Sequence, residues 1–276
     1  MARQMIATLL TDFGTRDPYV AAMKGVMIGL CPDVHLVDIT HDVPPHDVLA
    51  AAFVLAQAAP SFPMGTVHLV VVDPDVGTGR EILAARFGGQ VFVFPDNGVI
   101  TLVAGSMPLE QIVIVRDKRY FATSDPSGTF HGRDILAPVA VRILMGLDLR
   151  RLGPQPDKYK LLDLPPVAEP PGELAGQVVY VDHFGNVITN LTEAAIRHRW
   201  AVPDRLHVLC QGKDCGPLRG TYGTVAAGEP LALINSMGLL EIAVNHDQAS
   251  RVLGAQVGTP VRVCCPDDAG RNTIRE

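Results

Sequence analysis

The sequence predicts an α/β N-terminal domain with a mostly parallel central sheet, followed by a smaller all-β C-terminal barrel domain. Three observations predict it. Over residues 1–153, apolar runs of strand length alternate with segments whose apolar residues recur at helical spacing. Six prolines then fall between Pro154 and Pro171, and their fixed φ and missing donor favour an extended connector over 154–175. From 176 to 276, short apolar runs are separated by glycine-rich turns, as in small barrels and sandwiches.

In chain order, Met5–Leu10 reads as a strand, because an apolar run interrupted only by Thr8 suits a buried strand. Tyr19–Leu30 reads as a helix, His35–Ile39 as a strand, Asp47–Ala59 as a helix and Thr66–Val72 as a strongly apolar strand. Leu83–Phe87, Val91–Phe94 and Ile112–Val115 are further strands, and Ile135–Leu144 is a helix. Helices between strands imply crossovers, which join parallel neighbours. In the second domain the expected strands are Val178–Val181, Leu206–Leu209, Leu231–Ile234, Leu239–Val244 and Val261–Cys264.

The chain has 276 residues, with 23 Lys+Arg against 29 Asp+Glu, a formal net charge of −6. An acidic balance without a basic stripe argues against a nucleic-acid partner, since phosphate binding needs clustered Lys and Arg. Only 19% of residues are charged and mean hydropathy is +0.22. No run approaches the ~20 apolar residues of a spanning helix; Val48–Ala59 contains Gln57, and the N-terminal run meets Asp12 too early for a signal peptide. A surface covered by copies of the chain accounts for the low charge instead. Cys31, Cys210, Cys215, Cys264 and Cys265 fit no zinc spacing, and free thiols suit the cytoplasm.

Polar clusters follow several strands, the place where open α/β sheets bind ligands. Thr11-Asp12-Phe13-Gly14 offers a carboxylate for vicinal hydroxyls or a cap for the helix starting near Asp17 or Pro18. In Asp73-Pro74-Asp75-Val76-Gly77-Thr78-Gly79-Arg80, the glycines shape a loop across which Asp73 and Arg80 face each other, as a site or as a loop-stabilising ion pair. Asn97-Gly98 is a turn signal. In Thr129-Phe130-His131-Gly132-Arg133-Asp134, Asp134 reads as a helix cap, and nearby glycines expose His131. His35, His41, His46, His68, His198 and His207 have no such setting and read as surface or core residues. Asp182-His183-Phe184-Gly185-Asn186 and Asn235-Ser236-Met237-Gly238 offer polar groups on glycine-shaped turns. No phosphate-binding loop, nucleophile elbow, HExxH or post-strand GxGxxG is present.

Taken in order, TDFGTRDPYV, MKGVMIGLCPDVHLVDITHDV, VVVDPDVGTGR, FPDNGVIT, TFHGRD, VDHFGNVITN and INSMGLLEIAVN resemble the S-adenosylmethionine (SAM) hydroxide adenosyltransferase family, related to the bacterial fluorinating and chlorinating enzymes. The resemblance runs from residue 7 to about 245. It implies attack of water or hydroxide on the ribose C5′ of SAM, releasing adenosine and methionine, in a homotrimer with sites between neighbouring subunits. It also implies that Asp73, Arg80 and His131 form the catalytic set, with Asp73 also against substrate, and that Asp12 holds the ribose hydroxyls. Asp182 and Ser236 then take the methionine amine and carboxylate, Asn186 the adenine, and Glu241 and Val244 line the adenosine site. The halogenating relatives carry an aromatic residue at the position of Asp73 and hydroxyl residues at those of Val76 and Gly132; an anionic Asp73 repels halide, which favours hydroxylation. Met237 stands where a relative carries Arg.

The chemistry is sound on its own terms. The leaving group is a neutral thioether, so the difficulty lies in the nucleophile, water with a pKa near 15.7. Arg80 stays protonated and can stabilise developing hydroxide, with Asp73 or His131 as the base. No metal or cofactor is required, SAM being the substrate. The competing readings are a halogenase-type adenosyltransferase, a metal-dependent phosphohydrolase using Asp12, Asp73, Asp75, Asp96 and His131, and a non-catalytic adenosine- or SAM-binding protein.

Overall fold

The computed structural model describes residues 5–200 and 205–265, and the chain divides between Leu162 and Asp163 into two compact units. In the first unit the elements are β1 (Ile6–Thr11), α1 (Tyr19–Leu30), β2 (His35–Thr40), α2 (Val48–Ala58), β3 (Val67–Val71), β4 (Ile82–Phe87), β5 (Gln90–Pro95), α3 (Thr101–Ser106), β6 (Leu109–Ile114) and α4 (Ala137–Leu144). The six-stranded sheet has the order β2-β1-β3-β5-β4-β6. β2, β1, β3 and β5 run parallel, while β4 lies antiparallel to both β5 and β6. The expected mostly parallel sheet is therefore present. The antiparallel side arises because Gly88 and Gly89, both at positive φ, close a tight β4–β5 turn where no helix intervenes.

Burial explains the apolar runs. Every residue of β3 is buried, as are all six of β5, and fully burying an aliphatic or aromatic side chain contributes roughly 1.5–3 kcal/mol. α1 turns Val20, Met23 and Met27 into this core at helical spacing. α2 begins at an Asp47 cap whose side chain accepts from Ala50 N at 2.8 Å. The expected helix Ile135–Leu144 opens instead with a π-helical turn, Gly132–Leu136, before α4. Asp134 lies within that turn and accepts from Ser127 N at 2.8 Å, so it does not cap its own helix.

The second unit contains β7 (Glu173–Val181), β8 (Val187–Thr192), α5 (Glu193–Arg199), β9 (His207–Cys210), β10 (Lys213–Asp214), β11 (Leu218–Arg219), β12 (Pro230–Ile234), β13 (Leu239–Val244), α6 (Ala249–Leu253) and β14 (Pro260–Cys264). Its strand order is β10-β9-β14-β7-β8-β13-β12-β11. All pairs are antiparallel except β11 with β12. Among the described residues the order ends on β10 and β11, so the expected all-β barrel is an open sheet accompanied by two short helices. β7 starts at Glu173, inside the proline-rich stretch, and is long enough to pair with both β8 and β14. No helix among the described residues is long and apolar enough to cross a membrane.

Candidate active site

β1 and β3 are adjacent and parallel, so the loops after them open at the same edge of the sheet. The π-helical turn meets them there. Together they line a cleft of about 300 Å³ that includes Asp12, Phe13, Tyr19, His46, Asp73, Val76, Phe130 and His131. Phe13, Tyr19 and Phe130 form one aromatic wall, with ring centroids 5.3–6.1 Å apart.

Arg80, buried beside the cleft, ties two of its lining residues together. Its Nε donates to Asp73 Oδ1 at 2.8 Å and its Nη2 donates to Asp73 Oδ2. The same Nη2 lies 3.0 Å from His131 Nδ1. The Asp73 and Arg80 side chains are 4% and 3% exposed. An ion pair this dry is supported by its bidentate geometry rather than by solvent. Since a guanidinium only donates, His131 Nδ1 accepts, and the neutral ring carries its hydrogen on Nε2. Burial, followed by the charge of Arg80, pushes the His131 pKa below its ordinary value against the opposing pull of Asp73 and Asp134.

Backbone geometry brings these groups together. Asn97 Nδ2 donates to Val72 O at 2.8 Å, pinning the residue before Asp73, while Asn97 Oδ1 accepts from Val99 N at 3.2 Å. Asn97 is thus a turn residue that also holds the neighbouring loop. Gly77 sits at φ +77°, and a Cβ there would fall 2.2 Å from Gly128 O. Only glycine lets the Asp73–Arg80 loop lie against the segment that carries His131.

Asp12 does not cap α1, whose N-cap Pro18 receives no side-chain bond. Asp12 Oδ2 instead accepts from His46 N at 2.9 Å, and the carboxylate lines the cleft. His46, read from the sequence as a surface or core residue, lines the cleft at φ +68° with its side chain 73% exposed. Its left-handed backbone is a tertiary feature with no local sequence signal. Among the described residues no three His, Cys, Asp or Glu side chains gather to hold a metal ion.

In the second unit, Asp182 Oδ1 and Oδ2 accept from Asn186 N at 2.8 Å and Nδ2 at 3.0 Å. Glu241 accepts from Tyr222 Oη at 2.8 Å. Burial raises the Glu241 pKa, opposed by its bonds from Tyr222 and Asn235, and burial with the Glu241 contact pushes Tyr222 up to about 12. Ser236 is exposed on the β12–β13 turn. Val244 packs in the core of its unit, so any part it plays in a site falls to its backbone.

Residues 7–153 and 176–262 match the models for the SAM hydroxide adenosyltransferase N-terminal and C-terminal domains. The chain belongs to the SAM hydroxide adenosyltransferase family. It is 39% identical over 261 residues to the (R)-S-adenosyl-L-methionine hydrolase of Thermus thermophilus, covering 92% of this chain and 97% of that protein. The enzyme of the same name from Salinispora tropica is 39% identical over 255 residues, with 92% and 95% covered. Fluorinases are more distant, that of Actinopolyspora mzabensis being 26% identical over 291 residues, with 94% of this chain and 96% of that protein covered. A crystal structure of an uncharacterized conserved protein from Thermotoga maritima superposes with a TM-score of 0.87 at 38% identity, covering 94% of this chain and all of that one. This chain has a glycine at 132, where a Cβ would meet Met23 Sδ at 3.1 Å and Val71 Cγ1 at 3.4 Å. A hydroxyl side chain there requires Met23 to move.

Proposed function

We propose that the chain hydrolyses SAM to adenosine and L-methionine. The observation that carries the reading is the Asp73–Arg80–His131 constellation, in which Asp73 and His131 line the cleft and buried Arg80 joins them, in a chain whose relatives at 39% identity are SAM hydrolases. A water oxygen attacks C5′ and forms the new C–O bond. The C5′–S bond breaks with its electron pair staying on sulfur, so the sulfonium becomes the neutral thioether of methionine and one water proton is released. Arg80 stabilises the developing negative charge on oxygen. His131 Nδ1 is occupied by Arg80, whereas each Asp73 oxygen keeps a lone pair beyond its Arg80 bond. We therefore give Asp73 the water contact and the proton, and His131 the task of fixing Arg80. Alignment of water with the C–S bond supplies ~7 kcal/mol or more.

Asp12 takes the ribose hydroxyls in this reading. The remaining contacts follow the family pattern, with Asp182 on the methionine amine, Ser236 on the carboxylate, and Asn186, Glu241 and the Val244 backbone around the adenosine. We take residues 1–153, 154–175 and 176–276 as α/β domain, connector and β domain, a division supported by the spans of the two family matches. The assembly is a homotrimer in which residues 182–244 of one copy serve the cleft of a neighbour, and exposed Tyr19 and Phe184 are apolar groups suited to such a contact. Five unpaired thiols favour a reducing cytoplasm.

Product analysis tests the activity. Resolved R and S sulfonium epimers of SAM are supplied with and without halide. Equimolar adenosine and methionine from the R epimer, indifferent to halide, is the expected result; a 5′-halo-nucleoside or intact substrate overturns it.

A further inference from the structure

The turn that carries Asp12 rests on a buried polar chain. Thr11, the last residue of β1, is fully buried, and its Oγ1 accepts from Phe13 N at 3.3 Å. The same oxygen lies 2.9 Å from His41 Nδ1. His41 is 5% exposed, and its Nε2 lies 3.0 Å from Asp38 Oδ1. That contact has ion-pair distance but poor hydrogen-bond alignment, and among the described residues Nε2 has no other polar partner. Asp38 Oδ2 accepts from Lys24 Nζ of α1 at 2.6 Å. One assignment fits the paired atoms: Phe13 N–H donates to Thr11 and the Thr11 hydroxyl to His41 Nδ1, which leaves the hydrogen on Nε2 facing the Asp38 carboxylate.

His41 also grips the far side of the turn, because its carbonyl accepts from Gly14 N at 2.7 Å. Its imidazole and carbonyl thus bracket Asp12 and Phe13 from residues 11 and 14. Five residues further along the same loop, His46 N holds the Asp12 carboxylate. An apolar side chain in place of His41 would fill the space but would leave the Thr11 hydroxyl without its acceptor. Paired buried polar groups hold the backbone they touch in one conformation, and Thr11 Oγ1 is paired both to His41 and to the turn.

We propose that His41, acting through Thr11 and anchored by Asp38 and Lys24, is a positioning residue that sets the Asp12 carboxylate for the ribose hydroxyls of the substrate. This rests on the reading of Asp12 given above. It adds residues 11, 38 and 41 to the machinery, none of which touches the reacting atoms.

The test reads ribose recognition separately from folding. Adenosine and 2′-deoxyadenosine are titrated calorimetrically into wild type, Thr11→Val, Thr11→Ser, Asp38→Ala and Asp12→Ala, with KM and kcat for SAM measured beside them. Thr11→Val weakens adenosine binding and raises KM about tenfold, changes kcat less than about threefold, and erases much of the preference for adenosine over the deoxy form. Thr11→Ser, which keeps the hydroxyl, restores that preference. Asp38→Ala, at a half-exposed position that tolerates substitution, shifts the preference in the same direction by about threefold and stands in should Thr11→Val not fold. Adding Thr11→Val to Asp12→Ala changes binding less than about twofold, since both act on one contact. A wild-type preference in Asp12→Ala overturns the ribose reading and the proposal with it. A normal Asp12→Ala effect with wild-type preference in folded Thr11→Val and Asp38→Ala overturns the positioning role alone.

Discussion

Asp73 and Arg80 meet through both carboxylate oxygens, almost wholly out of water, and the guanidinium nitrogen that completes the pair also reaches His131. This single buried cation joins two residues of the cleft lining, and each partner depends on it differently. Asp73 would be an unpaired buried charge without it, whereas His131 would lose only one donor.

Replacing Arg80 therefore damages turnover first. Arg80→Lys keeps the charge but loses the planar two-point grip. We expect kcat to fall by about 10²–10³ while KM moves less than about threefold, and Asp73→Asn to behave alike. Arg80→Ala additionally strands the carboxylate and lowers stability by roughly 3–5 kcal/mol. Steady-state kinetics with a denaturant midpoint checks both. Equal losses in KM and kcat would assign the pair to ground-state binding.

His131 sets an acid limit. Burial and Arg80 hold its pKa below the ordinary histidine value, so the neutral ring that accepts from Arg80 persists to lower pH than a free imidazole would. As pH falls further it gains a proton on Nδ1 and repels the guanidinium. The log kcat profile should therefore bend down on the acid side at a lower pH than an ordinary histidine would impose. A bend above 6.5 contradicts this arrangement.

A second histidine, His68, makes the fold acid-sensitive. It is buried on β3 between Thr8 Oγ1 at 2.8 Å and Gln90 Oε1 at 3.3 Å, stacked on Phe92. Burial lowers its pKa to about 4, partly offset by the Gln90 bond. The unfolded chain takes up this proton near 6.5 and the folded chain only near 4, so stability declines as pH falls through that window. The loss attributable to His68 is roughly 3 kcal/mol by pH 4. Unfolding midpoints for wild type and His68→Gln across this range should diverge in slope, wild type being the steeper; parallel slopes would refute the assignment.

Loop geometry is tested by two neighbouring glycines. Gly77→Ala drives a Cβ into Gly128 O at an unfavourable φ, whereas a Cβ on Gly79 meets nothing within 4 Å. Gly77→Ala should cut kcat at least tenfold and weaken the fold by about 1–3 kcal/mol, with Gly79→Ala close to wild type in both. Similar behaviour of the two variants would mean the loop can shift without consequence.

Much of this was legible in the sequence. The helix Tyr19–Leu30 and the strand Leu239–Val244 have the bounds that the apolar spacing predicts, because each buries a continuous face. β8 escaped notice because its inward positions include Thr189, whose hydroxyl is satisfied by Leu240 O at 2.9 Å rather than by apolar packing. α5 carried a usable signal, since Thr192 caps it and Arg197 pairs with Glu193 one turn earlier. The Gly88-Gly89 pair marks the β4–β5 hairpin, whereas the pairing of β6 with the far edge of β4 depends on a partner that no local pattern encodes.

At the site, the Asp73–Arg80 facing was readable because seven residues and two glycines enforce a return of the chain. The roles of His41 and His46 were not. One depends on Asp38 and Thr11 arriving from neighbouring strands, the other on a left-handed backbone in the cleft wall. Neither leaves a trace in residue spacing.

The most direct measurement is isotopic. The protein is incubated with SAM in oxygen-18 water and the products are weighed by mass spectrometry. The account predicts adenosine carrying one oxygen-18 at the 5′ position, together with unlabelled methionine, in equal amounts. Unlabelled adenosine, a halogenated nucleoside or unreacted substrate would contradict attack by water at C5′.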